Sequence, residues 1–202
     1  MSSPADAFTD CIASGGVAVF PADTVYGLAC DPLDRAAVAR LYELKRRPPT
    51  KASAVMFFTL AAALDALPEL GPRTRAALTG LLPGAVTALL TNPARRFPLA
   101  CGDDPASLGL RVPAVALLGQ VRCPVLQSSA NLAGGVDPRR LVEVPPQIRA
   151  GADLILDGGE LPGTSSTVLD LRRYEADGSW RVLRAGAVPT AELTAALVSP
   201  RK

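Results

Sequence analysis

The chain has 202 residues, with 21 Lys and Arg against 19 Asp and Glu, and no histidine. A net charge of +2 excludes strong whole-molecule attraction to nucleic acid. The missing histidine excludes Ser-His-Asp and Cys-His catalysis and every His-ligated metal site. Met1 to Phe8 lacks the basic start and apolar stretch of a secretory signal, and no apolar run reaches membrane-spanning length. The sequence therefore reads as a cytoplasmic protein with no membrane contact. Cys11, Cys30, Cys101 and Cys123 form no C-x-x-C pair and read as small buried hydrophobes.

In chain order, Gly15-Gly16 opens onto Val17-Ala18-Val19-Phe20, a short buried strand closed by Pro21. Asp34 suits the N-cap of a helix through Ala37, Val38, Leu41, Tyr42 and Leu44. That helix ends in Lys45-Arg46-Arg47, where cations face the negative end of the helix dipole, and Pro48-Pro49 stops it. A strand is expected at 54–58, followed by an Ala/Leu-rich helical stretch and a helix near 73–82. Further strands are expected at 86–91, 108–112, 125–127 and 154–156. A hairpin joins 166–171 to 180–183, turning at Asp177-Gly178, and a last helix covers about 191–198. Helices interleaved with strands, plus a late hairpin, predict an α/β fold with a mixed sheet. The whole chain, 1–202, reads as one domain with its core at about 15–188.

Polar groups interrupt this pattern in several places. Pro21-Ala22-Asp23-Thr24-Val25-Tyr26-Gly27-Leu28 follows the first strand; it fits a turn whose Thr bonds the backbone, and equally a binding loop. Lys45-x-Arg47-Pro48-x-x-Lys51 is either a solvated helix end or a cationic loop suited to phosphates. It is not a Walker loop, because the Gly spacing and the Gly-Lys-Ser/Thr are missing. Apart from Lys202, these two lysines are the only ones in an otherwise Arg-using chain. Ser128-Ser129-Ala130-Asn131 follows a largely apolar strand, where open α/β sheets bind ligands, although Ser and Asn also cap helices. Ser165-Ser166-Thr167 enters another strand. Arg111, inside the apolar Leu108–Val112 stretch, requires an anion, which either a protein or a ligand carboxylate would supply. Arg184 raises the same question.

These motifs occur in a telling order. Pro-x-Asp-Thr-Val-Tyr-Gly-Leu, Lys-x-Arg-Pro, Leu-Pro-Gly-x-Val-Thr, Arg-Val-Pro, Ser-Ala-Asn, Ser-Thr-Val-x-Asp and Arg-x-Gly together resemble the YrdC/YciO family, from about Gly15 to Val188. The family includes the threonylcarbamoyl-AMP synthases, and the chain resembles their short, single-domain (TsaC/YrdC-like) form. The resemblance implies an open twisted mixed sheet with flanking helices and a large concave basic face. It also implies a nucleotidyltransferase that converts L-threonine, bicarbonate and ATP into threonylcarbamoyl-AMP and pyrophosphate. ATP is then a substrate accompanied by Mg2+, with no protein-bound metal. A downstream threonylcarbamoyl transferase complex delivers the group to tRNA adenosine, and tRNA or double-stranded RNA is a further partner.

By match to the motifs, Thr24, Arg111 and Ser166 would hold L-threonine, with Arg111 on its carboxylate. Lys45, Lys51, Ser107, Ser129, Asn131 and Arg184 would hold the nucleotide, and Lys45, Arg47 and Arg111 would carry the catalytic charge. Four places depart from the family pattern: Ala22 replaces a Thr, Met56 stands where long forms often carry a histidine that contacts threonine, Asp137 corresponds to a serine that contacts the nucleotide, and Ala52-Ser53 stands where Pro or Gly followed by Leu is more usual. Two other readings share the motifs. One is a carbamoyl-adenylating domain acting from carbamoyl phosphate. The other is a non-catalytic RNA-binding module.

Overall fold

Ser3 begins the described chain, residues 3–198 of a computed structural model, by capping its first helix. Its side chain accepts from the Asp6 amide while the Asp6 carboxylate accepts from the Ser3 amide, a reciprocal box with Pro4 at the first helical position. This helix, α1 (Pro4–Ala13), has no counterpart in the sequence expectations, although Ser3-x-x-Asp6 is a legible start signal. The chain then forms β1 (Ala18–Pro21) and β2 (Tyr26–Cys30), paired antiparallel. Tyr26 to Leu28, read within the Pro21–Leu28 turn or loop, instead open a fully buried strand that runs to Cys30; only Ala22 to Val25 make the connection.

Asp34 caps α2 (Arg35–Leu44) as expected, accepting from the amides of Ala36 and Ala37. There follow β3 (Ala54–Met56), α3 (Leu60–Ala66), α4 (Pro72–Leu81), β4 (Val86–Thr91), β5 (Ser107–Arg111) and β6 (Val125–Ser129). The remainder is α5 (Pro146–Gly151), β7 (Leu154–Ile155), β8 (Thr167–Asp170), α6 (Tyr174–Asp177), β9 (Arg181–Arg184) and α7 (Thr190–Val198). The late antiparallel pair β8–β9 exists, but its connection is no tight turn. The chain makes the short helix α6 first, and Gly178, at φ +75°, then ends it in the left-handed region. No helix among the described residues is long and apolar enough to cross a membrane.

The strands form one mixed sheet in the order β7-β1-β2-β6-β3-β5-β4-β8-β9, with β1–β7, β3–β5 and β4–β8 parallel. Alternation along each strand sends Val55, Leu126, Leu110, Ala88 and Leu169 to one face. There they pack with Val38 and Leu41 of α2, Leu78 of α4, Ile148 of α5 and Leu193 of α7. The opposite face is covered over part of its width only. Phe8 and Ile12 of α1, with Leu118, sit on Ala18, Phe20, Ala29, Met56 and Val125. Phe8 meets Phe20 and Phe58 edge-on, with ring centroids 5.3 and 5.7 Å away. Beyond Met56 the same register row continues through Arg111, Thr87, Val168 and Arg184. The neighbouring row runs Gln127, Ala54, Gly109, Leu89. These two rows floor an uncovered stretch of the sheet.

At the far end, Asp170 pins β8 to β9. Its carboxylate accepts from Arg172 at 2.8 and 2.9 Å and from Arg181 at 3.2 Å, and Arg172 holds its pKa down at about 2. A depressed carboxylate stabilises the fold above its unfolded pKa, and that contribution is lost as pH falls through the folded value. Urea unfolding should therefore show wild type losing about 1–2 kcal/mol relative to Asp170→Asn between about pH 4 and pH 2. Parallel profiles for the two proteins would remove the pinning role.

Candidate functional site

The uncovered stretch of sheet forms the floor of a cleft of about 270 Å³. Arg111, the last residue of β5, is only 3% exposed. Its Nη2 donates to the Asp23 carboxylate and, at 2.8 Å, to Thr24 Oγ1. The Ala114 amide donates to the other Asp23 oxygen at 3.2 Å. The anion that the sequence demanded for Arg111 is thus supplied by the protein. Burial pulls the Arg111 pKa down, and Asp23 supports the charged form against it. Thr87, beside Arg111 in the register row, brings its hydroxyl within 2.9 Å of that of Ser166, which precedes β8. Arg184 donates through Nη2 to the Ser166 carbonyl at 2.8 Å.

A strap of irregular chain, 156–166, crosses from β7 to β8 and holds the Thr24 turn from above. The Gly163 amide donates to the Thr24 carbonyl at 2.9 Å. Tyr26 Oη donates to Asp157 at 2.7 Å and meets the Gly159 carbonyl at 2.9 Å. Burial, reinforced by Asp157, pushes the Tyr26 phenol up to about 12, so it stays a donor.

Lys45 caps the end of α2, and Arg46 after it adopts φ +50°, the left-handed geometry that breaks a helix. The Lys45 side chain is 1% exposed. Its ammonium donates to the Ser129 carbonyl, to the Asn131 carbonyl at 2.8 Å and to Asn131 Oδ1 at 3.0 Å. An ammonium has three donors, and these acceptors use all of them. Burial, with Arg47 nearby, pushes its pKa down to about 8 against the pull of Asp137. Asn131 is equally committed: Oδ1 also accepts from Ser129 Oγ at 2.7 Å, and Nδ2 donates to the Gly135 carbonyl at 2.6 Å. Lys45 and Asn131 therefore shape the Ser129–Gly135 loop from beneath.

Arg47 lines the cleft and donates through Nη2 to the Ala52 carbonyl at 2.6 Å. Among the described residues, two buried side-chain nitrogens lack any hydrogen-bond partner, and both belong to cleft arginines: Nε of Arg47 and Nε of Arg111. A buried donor left so costs about 1–3 kcal/mol.

Of the residues the sequence singled out, Thr24, Arg47, Arg111, Ser129, Ser166 and Arg184 line this one cleft. Lys51 is exposed and outside its lining. Ser107 is buried at the opposite end of β5 from Arg111, roughly 13 Å along the strand, where it accepts from Arg172 at 3.2 Å. Ala22 and Met56 are buried in the apolar cluster around Phe8, which accounts locally for their apolar character. Thr87 and Ser165 also line the cleft; both stand in motifs quoted above that give them no role, and Gln127, which lines it too, reads in the sequence only as part of a strand. Gln127 stands one strand-period from Ser129, so period-two alternation from that residue would have found it. Among the described residues, no three His, Cys, Asp or Glu side chains are grouped to hold a metal.

Fold and cleft together define an open α/β protein that presents arginines and hydroxyls in a cleft on one face of its mixed sheet. Residues 10–186 match the Sua5/YciO/YrdC family model, described as "Telomere recombination", and the chain belongs to that family. It is 36% identical over 163 residues to a threonylcarbamoyl-AMP synthase of Xanthomonas campestris pv. campestris, an alignment covering 76% of this chain and 84% of the relative. A Stenotrophomonas maltophilia protein of the same name is 36% identical over 155 residues, covering 72% and 81%. Among solved structures, P. abyssi Sua5 complexed with L-threonine superposes with a TM-score of 0.83 at 25% identity. That match covers 94% of this chain, which spans only 56% of the Sua5 length. E. coli YciO shares the fold at TM-score 0.77 and 23% identity, over 93% and 91% of the two chains.

The carbonyl clamp on Lys45 makes a prediction for the ligand-free protein. Lys45→Met should accelerate amide exchange across 129–135 at least tenfold, about 1.4 kcal/mol of local opening. Unchanged exchange there would show that the ammonium does not order this loop.

Proposed function

We propose that the chain is an L-threonylcarbamoyladenylate synthase, converting L-threonine, bicarbonate and ATP into threonylcarbamoyl-AMP and pyrophosphate. The observation that carries this reading is the cleft's donor set, three arginines among serine and threonine hydroxyls, with Nε of Arg47 and of Arg111 unpartnered. Bicarbonate yields CO2 and hydroxide, the neutral threonine amine adds to the CO2 and its proton leaves with the hydroxide as water, and an oxygen of the resulting carbamate attacks the α-phosphorus of ATP as pyrophosphate departs. That reaction asks for positioning and neutralisation of charge more than for a protein nucleophile, so a site without histidine suffices.

In this reading Thr24, Arg111 and Ser166 receive L-threonine, while Arg47, Ser129 and Arg184 receive the nucleotide. Lys51 meets phosphates at the rim. Lys45 and Asn131 act through the loop they shape. Ser107 takes part only if the nucleotide extends along β5. Mg2+ travels with ATP. The product then passes, in the cytoplasm, to a transferase complex that modifies tRNA adenosine, and tRNA itself is a candidate ligand of the cationic face.

The test is purified protein with ATP, Mg2+, bicarbonate and labelled L-threonine. Pyrophosphate and an acyl-adenylate, both dependent on threonine and bicarbonate, are expected. Adenylate formed from carbamoyl phosphate instead, or salt-sensitive RNA binding without turnover, would overturn the proposal. Arg111→Ala should raise the threonine KM at least tenfold; an unaltered KM would count against its carboxylate role.

A further inference from the structure

Ser166 has a main chain that is held from several sides. Arg184 Nη2 donates to its carbonyl at 2.8 Å. The Ala187 amide donates to the Ser165 carbonyl at 2.8 Å, and the Thr167 amide donates to the Ala85 carbonyl of the neighbouring strand at 3.0 Å. Gly186 lies so close to the Ser165 and Ser166 carbonyls that a Cβ there would have no room. These contacts fix where Ser166 sits. None of them fixes where its hydroxyl points.

That direction is left to Thr87. Thr87 Oγ1 lies 2.9 Å from Ser166 Oγ, and this is the one hydrogen-bonding contact of the Thr87 side chain among the described residues. The other donor near Ser166 Oγ, Arg184 Nη2, stands at 3.5 Å, where a hydrogen bond is weak. Thr87 is suited to hold a neighbour in place. It is β-branched and therefore stiff at χ1, and its strand is paired on both sides, with Arg111 of β5 and Val168 of β8 as its register partners. Two hydroxyls carry two protons, and the bond between them uses one. The cleft around this pair holds Arg47, Arg111 and Arg184, so it is built to receive acceptors. With Thr87 donating, the Ser166 oxygen accepts and the Ser166 proton is left to face the cleft.

We infer that Thr87 is a positioning residue, which donates to Ser166 Oγ and so aims the Ser166 proton at an acceptor oxygen of the amino-acid substrate. This inference rests on the synthase reading above and adds to it a residue that acts through Ser166. The site then depends on the hydroxyl of Thr87 and not on its bulk.

The experiment is calorimetric titration of the full chain with L-threonine and, separately, with MgATP. Thr87→Val keeps the shape and the β-branch but lacks the hydroxyl. It should weaken L-threonine about fivefold, the worth of one neutral hydrogen bond, and leave MgATP within about twofold of wild type. Thr87→Ser should restore L-threonine to within about twofold of wild type. Added to Ser166→Ala, Thr87→Val should weaken L-threonine no further than Ser166→Ala does alone, because the two residues act as one unit. Should Thr87→Val fail to fold, Thr87→Ala gives the same readout. Wild-type threonine affinity in Thr87→Val overturns the inference. So do losses that multiply in the double variant, which would put Thr87 itself on the substrate, and an equal loss of MgATP affinity, which would mark a general defect of the cleft. A wild-type protein that binds L-threonine yet makes no threonine-dependent adenylate sinks the synthase reading instead, which keeps the two failures distinct.

Discussion

A guanidinium at 3% exposure carries a desolvation cost of several kcal/mol unless an anion and further acceptors surround it. For Arg111 these come from Asp23 and Thr24, in the turn between β1 and β2. In the sheet, β2 lies three strands from β5, roughly 14 Å away. The β1–β2 turn must therefore reach over β6 and β3 to meet the charge. Much of the irregular chain serves to hold it there. The 156–166 strap bonds Thr24 through the Gly163 amide, the Pro138 carbonyl bonds Tyr26, and Tyr26 Oη holds the strap through Asp157 and Gly159. Removing either member of the Arg111–Asp23 pair would strand a buried charge and loosen all of these contacts together.

The cleft also depends on an asymmetry between the two sheet faces. One face is closed by α2, α4, α5 and α7 and forms the principal core. The other is closed only by α1, a ten-residue helix, and the short segment around Leu118, which together are too small to span nine strands. Register then decides what lies beyond their edge. The row that begins with buried Val125 and Met56 continues as Arg111, Thr87, Val168 and Arg184. The sequence thus changes from apolar to polar along a line perpendicular to the strands, and no reading along the chain displays that line.

This explains what the sequence disclosed. Local rules located most strands and α2, because Asp34, the 3.6-residue spacing to Leu41 and the Pro48-Pro49 stop are all contiguous signals. The fold and family were legible from the ordered motifs, which share their spacing with proteins of the same architecture. The strand β2 escaped because its residues sit in a motif that reads as a loop, and α6 because four residues carry too little periodicity. At the site, the six cleft residues were legible as polar interruptions of apolar runs. The partners of Lys45 were not. Nothing local to Lys45 indicates that Ser129 and Asn131, more than eighty residues away, would present it with three oxygens.

The contrast between the cleft arginines and Lys45 follows from the geometry of the two cations. Arg47, Arg111 and Arg184 are each tethered to the protein through Nη2, to Ala52, to Asp23 and Thr24, and to Ser166. A planar fork with five N–H groups has donors to spare after one nitrogen is fixed, so a tethered arginine is both positioned and available. An ammonium concentrates its three donors on one atom. Once Lys45 has met its three oxygens it orders the loop around it and has nothing further to offer. Among the described residues one lysine is deeply buried, and the protein uses it to shape the wall and arginines to present charge from that wall. A cleft assembled this way is pre-set for anionic substrates before any arrive, which is the condition under which electrostatic stabilisation of a phosphoryl-centred reaction costs no reorganisation.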